Sequence, residues 1–185
     1  MEKFYFRNTR MRRIPIAIVS FAAGVLLLPA GICLYLAFGR PPVATADRPF
    51  PLEAQIVKVP LRARIAREMP AASPIAATEE NLNAGASIYE DKCESCHGTA
   101  DEPSAMGRAM FPRAPQLWTR HGSGAVGVSD DPVGETYWKV KNGIRLTGMP
   151  AYGKALSETE LWQVSLLLSM ADKPLPAEAS RTVGR

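Results

Sequence analysis

Cysteine is scarce in this chain of 185 residues: only Cys33, Cys93 and Cys96 occur, and the last two stand three positions apart. Those two share one short motif, so no pair remains for a disulfide framework. Histidine is scarcer, with His97 and His121 alone. From Thr78 on no strand signal competes with the helical ones, which leaves an all-α reading and removes the βαβ context of a redox dithiol. The net charge of +4 hides an asymmetry: residues 1–77 carry 11 Lys/Arg against 4 Asp/Glu, and residues 78–185 carry 11 against 14. The basic part flanks an apolar run, which explains its charge without nucleic acid as a partner.

That run is the first thing the chain has in quantity. Ile14 to Phe38 are 25 residues without a charge. At about 1.5 Å per residue a helix of this length exceeds the roughly 30 Å bilayer core. Before it stand Lys3, Arg7, Arg10, Arg12 and Arg13 against Glu2. Residues 1–13 therefore read as a basic cytoplasmic N-terminus and 14–39 as a transmembrane anchor, with everything after Arg40 exported. The expected location is a bacterial inner membrane, crossed once, with the rest on the periplasmic side. Pro15 suits a helix start, whereas Pro29 predicts a kink. Ala44-Thr45-Ala46 has the pattern of a signal-peptide cleavage site, but signal cores of about 7–15 apolar residues are much shorter than this run. Cys33 reads as a small apolar residue of the span, since the residues before it are in the wrong order for a lipid-attachment motif.

Residues 40–77 hold seven prolines, at 41, 42, 49, 51, 60, 70 and 74. This predicts an extended, semi-rigid tether. Within it, the alternating apolar and basic residues from Leu61 to Arg67 suit an anionic lipid surface, a partner or a solvated linker. Residues 173–185, with Pro174 and Pro176, read as a tail without order.

Between them, residues 78–172 carry helical signals. Thr78 is an N-cap ahead of Glu79 and Glu80, and Leu82, Ala86, Ile88 and Tyr89 follow at helical spacing. A second helix is expected from Glu135 to about Lys141, ended by Gly143. Ser157 and Glu160 form a capping box ahead of Leu161, Trp162, Val164, Leu166, Leu167 and Leu168. The first helix runs into Cys93-Glu94-Ser95-Cys96-His97, a C-x-x-C-H attachment site for a c-type haem. Two thiols at this spacing add to the vinyl groups on one side of a porphyrin, and the histidine sits beneath the iron. One such site means one haem. A zinc site from Cys93, Cys96, His97 and His121 has the right residue types, but adjacent Cys96 and His97 reach one tetrahedral ion only with strain.

Residues 79–172 resemble a class I c-type cytochrome, similar to the single-haem modules of bacterial haem-copper oxidase subunits. The resemblance rests on Cys93 to Gly98, Ala114-Pro115-Gln116-Leu117, Asn142 to Pro150 and the Leu-rich last helix. It implies covalently bound haem c with His97 and Met149 as iron ligands, and a Pro115 carbonyl that holds the other His97 ring nitrogen. It also implies that Gly85 and Tyr89 meet the last helix, where Leu167 stands in place of an aromatic residue. Met106, Met110 and Met170 are rivals to Met149, but 52 residues from His97 give the chain enough length to circle a haem. His121 is the one histidine available for a bis-histidine site. Arg113, Arg120 and Arg145 are candidate propionate partners, with Arg113 preferred for its place before the Pro115 turn.

The function expected is single-electron transfer rather than enzymatic turnover. Partners would be a quinol-oxidising complex or dehydrogenase and a terminal oxidase, met as a carrier or as a subunit of a larger complex. A haem enzyme or gas sensor with a labile distal ligand is the alternative.

Overall fold

A computed structural model describes residues 3–122 and 124–185. Met1, Glu2 and Ser123 lie outside the described residues, as do the side chains of the basic cluster from Lys3 to Arg13. The chain divides into two compact units, Met1–Arg48 and Pro49–Arg185.

The first unit is one long helix and a short turn. Helix α1, Lys3–Phe38, runs unbroken through Pro15 and Pro29. Within it Ile18–Phe38 is long and apolar enough to cross a bilayer. Apolar side chains such as Phe21 and Leu26 to Leu28 are exposed all round, as a lipid-facing helix requires. Beyond Gly39, the Asp47 carboxylate accepts from the backbone N–H groups of Val43 and Ala44, both at 2.8 Å. Those two bonds hold it below its ordinary range.

The second unit contains α2 (Glu53–Glu68), α3 (Glu79–Lys92), α4 (Glu94–His97), α5 (Ala105–Ala109), α6 (Val133–Asn142), α7 (Glu158–Ser169) and α8 (Ala177–Thr182). The only β-type pairing among the described residues is an isolated bridge between Arg120 and Val126, and the class is all-α. The caps expected for α3 and α7 are present. Thr78 accepts from Asn81 N–H, and Ser157 and Glu160 close the capping box. The middle helix starts at Val133, two residues earlier than expected.

The core is where α3, α6 and α7 meet. Ala86, Tyr89, Leu161, Val164 and Leu167 are fully buried. Gly85 permits the crossing of α3 and α7: a Cβ there would lie 2.4 Å from the Gln163 carbonyl oxygen and 3.2 Å from Leu167 Cβ. Leu167, in the place of the expected aromatic, fills that crossing. Tyr137 of α6 stacks on Trp162 of α7 with centroids 4.0 Å apart, and Tyr89 meets Trp118 edge-on at 5.4 Å.

Two expectations are corrected. Residues 53–68 are not extended tether but α2, in spite of Pro60 within the helix. Ala, Arg, Leu and Glu dominate from Leu61 to Glu68, all strong helix formers. Tertiary contacts offset the Pro60 penalty of about 3 kcal/mol. Ile65 is buried, Trp138 Nε1 donates to Glu68 at 3.0 Å, and the Arg64 guanidinium lies 5.9 Å from the Trp138 ring centroid. Just beyond, the Pro70 carbonyl lies where Gly134 would carry a Cβ. Nor is the C-terminal tail without structure: α8 buries Ala179 and Val183 completely. Asn83 of α3 accepts from Ala179 N–H and donates to Glu178, both at 3.0 Å. Small alanines let α8 approach α3 closely enough for these bonds.

Two outcomes follow. Gly85→Ala, which forces α3 off the α7 backbone, is expected to lower unfolding stability by about 1–3 kcal/mol, measured by denaturant titration; Gly24→Ala, with open space around it, should leave stability unchanged. The Glu68 carboxyl is held below its ordinary 4.5 by Trp138 first and then by Arg64. Because the folded value is depressed, this contribution is complete above pH 4.5 and is lost as the pH falls through the folded value. The Trp138 indole N–H resonance should shift in that window, and the shift should vanish in Glu68→Gln.

Candidate functional site

The end of α3 and the single turn of α4 place three reactive side chains together. Cys93 caps α3 through its N–H to the Tyr89 carbonyl. Cys96 N–H and His97 N–H then both donate to the Cys93 carbonyl, at 3.1 and 2.9 Å. Gly98 leaves the turn at φ 71°, a left-handed conformation that favours glycine. Its carbonyl accepts from the buried Tyr89 hydroxyl at 2.6 Å, which ties the turn back to the core. Gly107 packs on the same turn, with space for no Cβ: one would lie 2.0 Å from the Cys96 carbonyl.

Cys93, Cys96 and His97 all line one cavity of about 230 Å³. Its walls are apolar, with Leu117, Val128, Val140 and Leu168 among them. His97 Nδ1 lies 2.7 Å from the Pro115 carbonyl oxygen. A carbonyl only accepts, so Nδ1 carries the proton and Nε2 keeps its lone pair. Burial lowers the His97 pKa, against a smaller upward effect of the Pro115 bond; the ring is a neutral donor near pH 7. Burial first, then Cys96 and Asp91, pushes the Cys93 thiol up to about 12. Such a thiol is protonated at neutral pH and is a poor partner in thiol exchange.

Met149 lines the same cavity, carried by the loop after α6. Gly143 opens the loop at φ 66°, where a Cβ would lie 2.9 Å from the Met149 carbonyl oxygen. Ile144 N–H donates to that oxygen at 3.3 Å. Thr147 Oγ1 accepts from Met149 N–H at 3.1 Å and donates to the Ile144 carbonyl at 2.7 Å. The loop is thus closed on itself with Met149 held at both backbone ends.

Of the remaining candidates, Arg113 lines the cavity and is itself exposed. Arg120 donates instead to the Gly124 carbonyl, and Arg145 is exposed and forms no part of the lining. His121 Nε2 lies 2.7 Å from the Gly127 carbonyl oxygen and is likewise not in the lining. No group of three or more His, Cys, Asp or Glu able to hold a metal occurs among the described residues. Among the rival methionines, Met110 lines the cavity, whereas Met106 and Met170 do not.

Thr136 was not anticipated. It is 4 % exposed, lines the cavity, and its Oγ1 has no hydrogen-bond partner. A buried hydroxyl left unpaired costs about 1–3 kcal/mol, so it fits a cavity whose occupant carries an acceptor. The one available signal was its spacing of four from Val140, which puts both on one helix face. The whole arrangement fits haem c: two thiols and a neutral imidazole on one turn, a thioether on a facing loop, and apolar walls with few polar groups.

Residues 80–166 match the family described as cytochrome C oxidase, cbb3-type, subunit III. Searches among curated proteins and solved structures gave no match. The matched span contains every residue from the Cys93 turn to the Met149 loop. Gly107→Ala should displace the Cys96 carbonyl and cut covalent haem per polypeptide several-fold, measured by haem stain against protein stain. Gly148→Ala, whose Cβ would meet only the flexible end of Met110, should retain full attachment.

Proposed function

We propose, from the premise that residues 80–166 are a monohaem c-type cytochrome domain, that the chain is a membrane-anchored carrier of single electrons. It works on the periplasmic side of a respiratory chain, as a free carrier or as a fixed subunit of a larger complex. The family match to an oxidase subunit supports a terminal oxidase as the acceptor side, with a quinol-oxidising complex or dehydrogenase as the donor. The apolar segment Ile18–Phe38 supports the anchor, and the basic residues before it support the orientation.

The observation that carries this reading is that His97 and Met149 line one cavity with both motif cysteines. Haem c bound there supplies reversible one-electron exchange between ferric and ferrous iron. Cys93 and Cys96 hold it by thioether bonds. His97 offers Nε2 to the iron, and Pro115 fixes the tautomer and ring plane. Met149 offers a neutral thioether from a loop closed by Thr147. His97 and Met149 would together hold the iron and would leave no coordination site for a substrate. The thioether and the apolar walls favour the less charged ferrous state and so raise the potential. Arg113, at the cavity lining and exposed, pairs with a propionate at the haem edge. Thr136 Oγ1, unpartnered in the cavity wall, would donate to an acceptor on the occupant.

The test is a visible spectrum, oxidised and reduced, with and without carbon monoxide. The wild-type protein should be low-spin and indifferent to carbon monoxide. Met149→Ala should keep covalent haem, bind carbon monoxide, and lose on the order of 100 mV of midpoint potential, a modest part of the roughly 0.8 V that axial ligands command. Prompt carbon monoxide binding by the wild-type protein would instead establish the haem enzyme or gas sensor.

A further inference from the structure

Helix α2 has two unlike faces. One is docked: Ile65 is buried, and Arg64 and Glu68 engage Trp138 of α6. Ile65 lies nine residues after Ile56, two and a half helical turns, and so on the opposite side. The outward side carries Leu52, Ile56 and Val59, exposed by 66, 68 and 66 %. They follow at spacings of four and three, with Ala63 next on the same stripe. Rotation at 100° per residue puts Arg62 and Arg67 to either side of it, whereas Lys58 falls on the Ile65 side. Lys58 and Arg62 form no salt bridge. The acids of the helix are engaged elsewhere, Glu53 with Phe50 N–H and Glu68 with Trp138 and Arg64.

We infer that this outward face lies on the headgroup layer of an anionic bilayer. An apolar stripe edged by long cationic side chains is the composition of a helix lying in the interface, with the stems buried and the charges at phosphate level. The occupant follows from the chain itself. Only residues 39–52 separate α2 from the apolar segment that ends at Phe38, so the stripe stays within about 50 Å of the surface at full extension. At that range, adhesion too weak to hold a free protein suffices. The inference rests on the anchored reading and deepens it. Because α2 is docked on α6, and α6 lines the haem cavity through Thr136, Lys139 and Val140, adhesion holds the redox domain in one attitude to the membrane. A flexible leash would not.

The test uses the full haem-loaded chain with Cys33→Ser, so that no free thiol remains beside the two in thioether linkage. Single variants Ile56→Cys, Val59→Cys, Leu146→Cys and Leu27→Cys are reconstituted in vesicles containing phosphatidylglycerol and treated with a membrane-impermeant maleimide. Leu146 is 80 % exposed on the haem domain and sets the reference rate for either orientation in the vesicle. The expected result is labelling at 56 and 59 about tenfold slower than at 146, with Leu27→Cys unreactive. Labelling at 56 and 59 as fast as at 146, with Leu27→Cys still unreactive, overturns the lipid face and leaves the anchor standing. Protection at 56 and 59 in native membranes but not in these vesicles also overturns it, in favour of a protein partner. Labelling at Leu27→Cys as well would mean that the anchor itself is wrong.

Discussion

Where α3 crosses α7, the two backbones come so near that a single methyl group on Gly85 would lie 2.4 Å from the Gln163 carbonyl. That contact sets the positions of both helices at once, and the walls of the cavity hang from them. The far end of α3 becomes the turn that carries Cys93, Cys96 and His97. The later part of α7 supplies Leu168 to the cavity, and its Trp162 holds α6 by the stack on Tyr137. From α6 come Thr136 and Val140, and from its C-terminus the loop that carries Met149. A side chain at Gly85 would force the two helices apart. Interiors this closely packed respond to such changes as units.

The chemistry at the site follows from burial more than from charge. Desolvation keeps the His97 ring neutral and the Cys93 thiol protonated, so the chain reaches its cofactor as a set of neutral donors. Neutral donors in an apolar cavity suit a metal whose charge is to change by one and whose surroundings are to move little. The charged groups in the lining are balanced or solvated: Arg113 is exposed, Lys92 is paired with Asp91, and Lys139 is paired with Asp131 and Glu135.

The elements legible in the sequence were those whose signals are local. The C-x-x-C-H turn, the Thr78 cap and the Ser157–Glu160 capping box are each complete within five residues, and each stands where expected. Helix α2 was not legible, because seven prolines across 40–77 outweighed the seven good helix formers between Leu61 and Glu68. Its stability comes from Trp138, seventy residues further on, which no local pattern reveals. Helix α8 fails for the same reason: Pro174 and Pro176 announced a break, and the Asn83 side chain that secures the next turn lies far back in α3. Thr136 was hidden by its ordinariness, since a threonine inside a helix signals nothing until its hydroxyl is seen buried without a partner.

Two methionines reach the cavity, and their backbones decide between them. Met149 is bonded on both sides, its N–H to Thr147 Oγ1 and its carbonyl to Ile144 N–H. Gly143 and Leu146, both at positive φ, bend the loop into that closure. Non-glycine residues adopt this region at a cost of order 1–3 kcal/mol, and Leu146 does so where the loop needs its sharpest bend. Met110 instead caps the five-residue α5, and its Cε lies 1.8 Å from where a Gly148 Cβ would be. Its flexible end therefore rests against the loop that carries Met149, beside Gly148. A thioether on a loop closed at both ends would serve iron better than a flexible side chain at the end of a short helix. Met149 is therefore the donor we propose, and Met110 packs beside the residue next to it.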